Sequence, residues 1–266
     1  VIAIEVAGYN ANSYYHLNQP SYLQAEIVAG RKVLAATGSD RVGFEAHLLS
    51  SRVQKVQRYS FQRTFSEVYC LTPYSDAWRT DGPLAPVKLA VCPQRPLLPR
   101  IAPYPAFHVL KPVREVASGT LALKPDKKVW SDRAIKGVGP LFAGFPENEL
   151  AMIPLYEVQR LETAQQTHEQ KPWRDGEART VGHHRFRTFE FIRNNAGFIR
   201  ATVHCGAPSR IYFVFDEILS NGEVNVTRYS CANVVTYDLT RAGTYYLESF
   251  EPYELKYLKV MVDGGA

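Results

Sequence analysis

The segment Ile211-Tyr212-Phe213-Val214-Phe215 places five apolar residues in a row, and Asp216 and Glu217 follow it directly. Aromatic and β-branched side chains suit a pleated strand. A short apolar run between turn residues is typical of a strand that is buried on both faces. Turn residues stand at 206–209 before the run and at 220–222 after it. We therefore predict that residues 211–215 form a central strand of a β-sandwich.

The sequence around this segment repeats the pattern of short strands and turns. Residues 199–205 alternate apolar with polar side chains, which is the period of a half-buried strand. Phe189 and Phe191 alternate with polar neighbours in the same way. Further turn residues stand at 241–243. Strands at this spacing indicate a sandwich or jelly roll, so we expect residues 171–266 to form a β-sandwich module.

The first 70 residues also favour strands. Ile2, Ile4 and Val6 alternate with smaller or charged residues, and a turn cluster at 38–40 separates two further candidate strands at 32–37 and 44–49. We predict that residues 1–70 are the C-terminal part of a jelly-roll or β-sandwich module. Because the chain opens on Val1 within an apparent strand, we expect it to be a piece of a longer polypeptide.

Residues 71–170 have a different character. Nine prolines lie between positions 73 and 112, and proline removes a ladder donor and fixes φ. We expect a Pro-rich connector with irregular structure, with a short helix after Pro146. Its apolar residues, among them Leu97, Leu98 and Ile101, need burial against a neighbour. The fold class predicted for the whole chain is all-β, with two sandwich-like modules joined by this connector.

Composition excludes several classes of function. The net charge is +5 in 266 residues, and nucleic-acid binding requires a clustered basic face, so we expect no nucleic-acid partner. The sequence lacks an apolar run of 18 residues, which favours a soluble protein without a membrane partner. The four cysteines form no C-x-x-C pair. We expect free thiols, with one Cys205–Cys231 bridge as the alternative.

The sequence lacks the G-x-S-x-G, H-E-x-x-H and P-loop signatures of familiar enzymes. His183 and His184 are adjacent. Neighbouring side chains in a strand point to opposite faces, so two such histidines seldom share one ion. We predict no metal site and no cofactor.

The acidic pair Asp216-Glu217 allows two interpretations. A glycosidase needs two carboxyl groups that face each other across a sugar, whereas strand neighbours face apart. The favoured interpretation is a structural pair at the end of the strand that forms hydrogen bonds or an ion pair, with Arg228 as a candidate partner. The alternative is that Asp216, Glu217 and Arg228 contact carbohydrate.

Exposed aromatic rings beside polar side chains are typical of sugar-binding sites. Tyr14, Tyr15 and Trp130 are candidates, although most aromatic residues serve in cores.

The C-terminal stretch carries a resemblance to a known family. It covers Arg185 to Phe191, Ile211 to Leu219, Ala232-Asn233, Gly243 to Tyr253 and Lys256 to Val260. This pattern is similar to the β-sandwich that precedes the catalytic barrel of bacterial α-L-rhamnosidases of glycoside hydrolase family 78. The opening residues resemble the last strands of a jelly-roll module near the N-terminus of these enzymes.

The resemblance implies a non-catalytic accessory region of such a hydrolase. Family members invert configuration with carboxylates on an (α/α)6 barrel, which would follow this chain, so no catalytic residue is assigned here. The implied partners are that barrel, in the same polypeptide, and rhamnose-containing glycans. The alternatives are a self-sufficient carbohydrate-binding module and a structural interaction domain. The compartment stays open between cytoplasm, periplasm and the outside of a bacterium.

Overall fold

The computed structural model describes residues 2–38, 43–80, 85–136 and 140–264. These residues are mainly strands with little helix, which confirms the all-β prediction. Val1 and part of the turn predicted at 38–40 lie outside the described residues.

Fourteen strands are present in the described ranges. They are β1 (Glu26–Ala29), β2 (Lys32–Ala36), β3 (Glu67–Leu71), β4 (Arg114–Leu123), β5 (Leu161–Thr167), β6 (Lys171–Pro172), β7 (Arg185–Gly197), β8 (Arg200–Cys205), β9 (Ser209–Asp216), β10 (Leu219–Ser220), β11 (Glu223–Val224), β12 (Val234–Leu239), β13 (Gly243–Glu248) and β14 (Tyr253–Gly264). The α-helices are α1 (Arg133–Lys136) and α2 (Pro154–Arg160), and 3-10 helices span Ala77–Arg79, Glu147–Glu149 and Arg228–Ser230.

One eight-stranded sheet forms the body of the structure. Its order is β3-β12-β9-β14-β7-β4-β5, and β6 pairs with β4. The strands pair antiparallel except for β3, which runs parallel to β12. Strand β9 lies between β12 and β14, and its residues 211–216 are buried. The prediction of a central strand at 211–215 is therefore confirmed.

Both faces of this sheet are covered. Phe213 and Phe215 of β9 share a core with Tyr245 and Leu247 of β13, and β13 pairs only with β8 among the described strands. The β8–β13 pair thus packs over one face as the second layer of a sandwich. On the opposite face, Tyr212 packs in a second core together with Val158 of α2. Burying each such large side chain contributes about 1.5–3 kcal/mol.

The sheet draws strands from all three predicted ranges. Strand β3 crosses the boundary at 70, β4 and β5 come from the predicted connector, and the other strands come from residues 171–266. The boundaries at 70 and 170 stay predictions. The structure differs from the expectation at residues 2–6 and 44–49, where no strand forms. It also differs at β4, since the connector is not irregular throughout.

Strand β4 forms because of its contacts with neighbouring strands. Gly119 stands at its centre, and glycine is depleted in strands. A Cβ added at Gly119 would lie 1.9 Å from the carbonyl oxygen of Gln165 on β5. Only glycine allows the two backbones to approach so closely, while Ala117 and Leu121 on either side pack against Phe186 in one core.

The connector also contains the short helix that the sequence predicted, because the 3-10 helix Glu147–Glu149 follows Pro146 directly. Among the residues that the structure describes, no helix is long and apolar enough to cross a membrane.

Residues 85–113, which we call the apolar strap, form no strand. Backbone hydrogen bonds hold both ends: the Val87 N–H donates to Ala46 O at 2.9 Å, and the Val113 N–H donates to Glu190 O at 2.8 Å. Ten large apolar side chains between these ends are exposed: Val87, Leu89, Val91, Leu97, Leu98, Ile101, Tyr104, Phe107, Val109 and Leu110.

Candidate functional site

A surface cleft of about 240 Å³ lies between the N-terminal loop and the rim of the sandwich. Its lining combines aromatic rings with charged side chains: Tyr15, His16, Tyr59, Arg63, Thr64, Phe65, Glu251 and Tyr253. Small-molecule sites commonly combine apolar walls with a few placed polar groups. This composition makes the cleft the candidate binding site.

A compact turn positions Tyr15 at the mouth of the cleft. The hydroxyl oxygen of Ser13 accepts hydrogen bonds from the N–H groups of Tyr15 and His16, each at 3.0 Å. The Ser13 N–H donates in return to His16 O at 2.8 Å. The Tyr15 side chain remains 68% exposed, so its ring face is available to a ligand.

Tyr14, the neighbouring candidate, has a different role. Its ring makes edge contacts with Phe61 at 5.1 Å and with Phe142 at 5.6 Å between centroids. Tyr14 does not line the cleft. It therefore packs the loop against residues 61 and 142, although much of its surface is exposed.

Arg58 fixes the loop from below. The residue is buried, and its guanidinium donates to Asn12 O at 2.9 Å, to Arg63 O at 3.1 Å and to Ser60 O at 3.3 Å. Burial lowers the pKa of Arg58 from its ordinary value. These carbonyl contacts join the loop that carries Tyr15 to the turn that carries Arg63.

At the floor of the cleft, Arg63 makes cation–π contacts with the rings of Tyr59 and Tyr253. The Arg63 guanidinium lies 5.6 Å from the Tyr59 ring centroid and 5.5 Å from that of Tyr253, and it donates to Pro252 O at 2.7 Å. Burial is the main cause that raises the pKa of Tyr59 and of Tyr253 above the ordinary value. Both phenols therefore stay protonated, and Tyr59 donates to Asn233 Oδ1 at 2.7 Å.

Beneath the cleft, the buried Glu67 carboxylate holds the segment that carries Glu251. It accepts hydrogen bonds from four donors: the Phe250 N–H at 2.7 Å, the Glu251 N–H at 2.8 Å, the Tyr253 hydroxyl at 2.8 Å and the Tyr69 hydroxyl at 2.5 Å. The Glu251 side chain itself accepts a hydrogen bond from the Tyr9 hydroxyl at 2.5 Å. The cleft walls are thus fixed before any ligand binds.

The acidic pair from the sequence lies elsewhere. Asp216 Oδ1 pairs with Arg228 Nε at 2.5 Å, and the Asp216 carboxylate also accepts from the Glu217 N–H at 2.8 Å and the Asn225 N–H at 2.9 Å. This is the ion pair that the favoured interpretation named. Asp216, Glu217 and Arg228 come together, but none of them lines the cleft.

Trp130 is also separate from the cleft. Its backbone exchanges two hydrogen bonds with the Gln159 side chain, at 2.7 Å and 2.8 Å, and its ring is partly exposed. As candidate carbohydrate contacts, Trp130, Asp216, Glu217 and Arg228 stay predictions, and of the six only Tyr15 lines the cleft.

The two adjacent histidines do not lie in a strand. They form the turn before β7, and His184 has a positive φ of 49°. The premise that neighbouring side chains face apart therefore fails here, and the two rings stack with centroids 3.8 Å apart. The four cysteines are free thiols in this structure.

Sequence reasoning missed Arg63, His16 and Glu251. Arg63 and Glu251 lie 188 positions apart, and no local pattern joins them. The only local signal was the mixture of aromatic and basic residues at 58–65.

The fold and this cleft define an all-β protein with an aromatic-lined surface site. No protein-family model matches the chain, and no curated protein matches it. Two solved structures are similar to parts of it. A GH78 family rhamnosidase of Bacillus sp. GL1 matches with a TM-score of 0.28 and 22% identity over 31% of this chain and 8% of that chain. An alpha-L-rhamnosidase from Dictyoglumus thermophilum matches with a TM-score of 0.27 and 16% identity over 30% of this chain and 10% of that chain.

Proposed function

We propose that this chain is a non-catalytic accessory region of an α-L-rhamnosidase-like glycoside hydrolase, where it packs against the catalytic (α/α)6 barrel of the same polypeptide. The observation that carries the proposal is the apolar strap. It is held at both ends, yet the side chain of Ile101 is 99% exposed. Exposed apolar surface on this scale marks an interaction site. A strap that is anchored at its ends is suited to cover a neighbouring domain.

The carboxylates support the non-catalytic part of the proposal. Inverting glycosidases need two carboxyl groups about 6.5–9.5 Å apart across the sugar. Glu251 is the single carboxylate among the residues that line the cleft. Asp216 is buried and accepts three hydrogen bonds, so it is not free to protonate a leaving group. The family resemblance of residues 183–263 supplies the identity of the proposed parent enzyme.

The accessory role is tested by mixing the chain with the proposed barrel, expressed as a separate protein, and measuring association by calorimetry and size-exclusion chromatography. We expect a 1:1 complex that Leu98→Asp with Ile101→Asp abolishes. Both side chains are exposed in this structure, so the melting temperature of the chain alone should not change. Ile192→Asp, at an exposed apolar residue on β7 outside the strap, is the matched control and should leave the complex intact.

Two outcomes contradict this proposal. One is a strap variant that binds the barrel as tightly as the parent chain does. The other is hydrolysis of p-nitrophenyl α-L-rhamnoside by the chain alone, with turnover that Glu217→Gln removes.

A second candidate function, carbohydrate binding, rests on the cleft. An exposed Tyr15 ring stands beside Arg63 and Glu251, which is the combination of stacking face and hydrogen-bonding groups that a sugar requires. The volume is below the roughly 300–1,000 Å³ of typical small-molecule sites, so the cleft favours one sugar ring. Calorimetry with L-rhamnose and rhamnosides tests this function: Tyr15→Ala should abolish binding, whereas Tyr104→Ala, in the strap, should not. Equal binding by both variants would contradict it.

A further inference from the structure

A cluster of three potential metal ligands lies at the edge of the large sheet. His183 and His184 form the turn before β7, and Asp263 lies near the end of β14. One ligand atom from each residue lies within 4.8 Å of the other two. The cluster belongs to neither the cleft nor the apolar strap.

The backbone holds this cluster in place. The His184 N–H donates to Val262 O at 2.9 Å, and the Leu121 N–H donates to His184 O at 2.7 Å. His184 is therefore tied to both β14 and β4. A positive φ costs energy in a non-glycine residue, and at this position it turns the two rings to the same side, 3.8 Å apart and 24° from parallel.

Each of the three side chains offers a lone pair to the cluster. His183 Nδ1 accepts a hydrogen bond from the Gly264 N–H at 2.9 Å, so that nitrogen is unprotonated, and an ion takes its lone pair by displacing this bond. His184 Nε2 lies 3.0 Å from Asp263 Oδ1. An ion between these two atoms would replace this hydrogen bond, and the proton of the neutral imidazole would move from Nε2 to Nδ1.

Among the described residues, His184 is the only ion-pair partner of the Asp263 carboxylate. Arg210 lies opposite Asp263 in the β14–β9 register, but its guanidinium pairs with Asp238 at 3.1 Å and with Glu157 at 3.4 Å. The carboxylate of Asp263 therefore remains available to a cation together with the two imidazoles.

We propose that His183, His184 and Asp263 form a binding site for a divalent transition-metal ion, of which Zn²⁺ fits best. Two imidazoles and one carboxylate suit zinc, which binds nitrogen at about 2.0–2.1 Å and oxygen at about 2.0–2.2 Å. Tetrahedral bonds of that length place ligand atoms about 3.3 Å apart, so small side-chain rotations close the cluster. Water completes the coordination. The bound ion joins the turn before β7 to the end of β14.

The test is a titration of tag-free, chelator-treated chain with ZnCl₂, followed by calorimetry and by thermal unfolding. We expect one ion per chain and a higher melting temperature, because the ion binds the folded state. His184→Asn and Asp263→Asn should each weaken binding at least about tenfold. Asparagine tolerates positive φ, so His184→Asn keeps the turn. His204→Asn, at an exposed histidine that contacts Thr244, is the matched control and should bind as the parent does.

Two further measurements guard against a trivial result. The melting temperatures of the ion-free variants should equal that of the parent chain, so that weaker binding reports lost ligands. The visible spectrum of bound Co²⁺ should indicate nitrogen and oxygen ligands, and His183→Asn should change it. The proposal is overturned if the parent chain binds no ion at about 1 mM zinc, or if the ligand variants bind within twofold of the His204→Asn control.

Discussion

The large sheet and the apolar strap use similar residues in opposite ways. Phe213 on β9 is 2% exposed and lies between covered faces, whereas Ile101 in the strap is 99% exposed. The apolar side chains of the sheet are buried against β8, β13 and α2. The strap is anchored near its ends and at Arg95, whose backbone exchanges two hydrogen bonds with the Gln24 side chain, and its apolar residues stay exposed. The difference indicates that the buried residues of the sheet stabilise the chain, whereas the exposed residues of the strap contribute little to its stability.

The largest expected difference is in the free energy of unfolding when a large apolar side chain is shortened in the sheet and in the strap. Phe213→Ala should lower the free energy of unfolding by about 3–5 kcal/mol, because it leaves a cavity beside Tyr237. Ile101→Ala should change it by less than about 0.5 kcal/mol, since exposed substitutions lose little. Urea denaturation measures both. Similar losses at both positions would mean that the strap is packed.

A smaller effect is expected at the carboxylate that joins the sheet to the cleft. All four partners of Glu67 are donors, and an ionised carboxylate only accepts. Glu67→Gln replaces one acceptor oxygen with a donating amide and leaves buried donors unpaired. We expect a loss of about 2–3 kcal/mol in the free energy of unfolding.

The control for Glu67→Gln is Glu45→Gln, at an exposed carboxylate, which should leave the free energy of unfolding unchanged. A buried position such as Gln57 is unsuitable, because its side chain accepts a hydrogen bond from the Leu155 N–H. If Glu67→Gln is equally neutral in chemical denaturation, the four-donor network does not stabilise the sheet.

The smallest effect concerns a buried amine on β14. Burial lowers the pKa of Lys259, although Glu223 opposes this shift, so the folded chain binds this proton less tightly than the unfolded chain. The contribution of Lys259 to the free energy of unfolding therefore rises with pH between the lowered pKa and the ordinary value of about 10.4.

Lys259→Met should remove this rise and change the stability by at most about 1–2 kcal/mol at neutral pH. Lys55→Met, at an exposed lysine, should keep the parental pH dependence. Thermal unfolding from about pH 7 to pH 10.5 compares the three proteins. A parental slope in Lys259→Met would show that the pKa of Lys259 is not lowered by folding.

The sequence predicted those parts of the fold whose local pattern matches their surroundings. The run at 211–215 became the central β9, and the alternation at 199–205 became β8, where Arg200, Thr202 and His204 are exposed. In these strands, the sheet covers the faces that the side chains already favour. The apolar residues of the connector were expected to be buried against a neighbour; they are exposed in this structure, and their burial stays a prediction.

The rest depends on contacts between distant residues. Gly119 is needed in β4 because the backbone of Gln165 on β5 lies too close for any side chain. The cleft needs Arg63 and Glu251, which lie 188 positions apart in the sequence and meet only in the folded chain. The turn at His184 breaks the alternation on which the sequence argument relied. A period of two residues contains none of this information.

Hydrogen exchange measured on the chain alone, segment by segment, tests the contrast between sheet and strap most directly. The account predicts that amides of β9 and β14 exchange only through global unfolding, many orders of magnitude slower than unprotected amides. Amides at 88–110, apart from that of Arg95, which donates to Gln24 Oε1, should exchange almost as fast as those of an unfolded peptide. Protection of 88–110 equal to that of β9 would contradict the account, because the strap would then be packed without any neighbour.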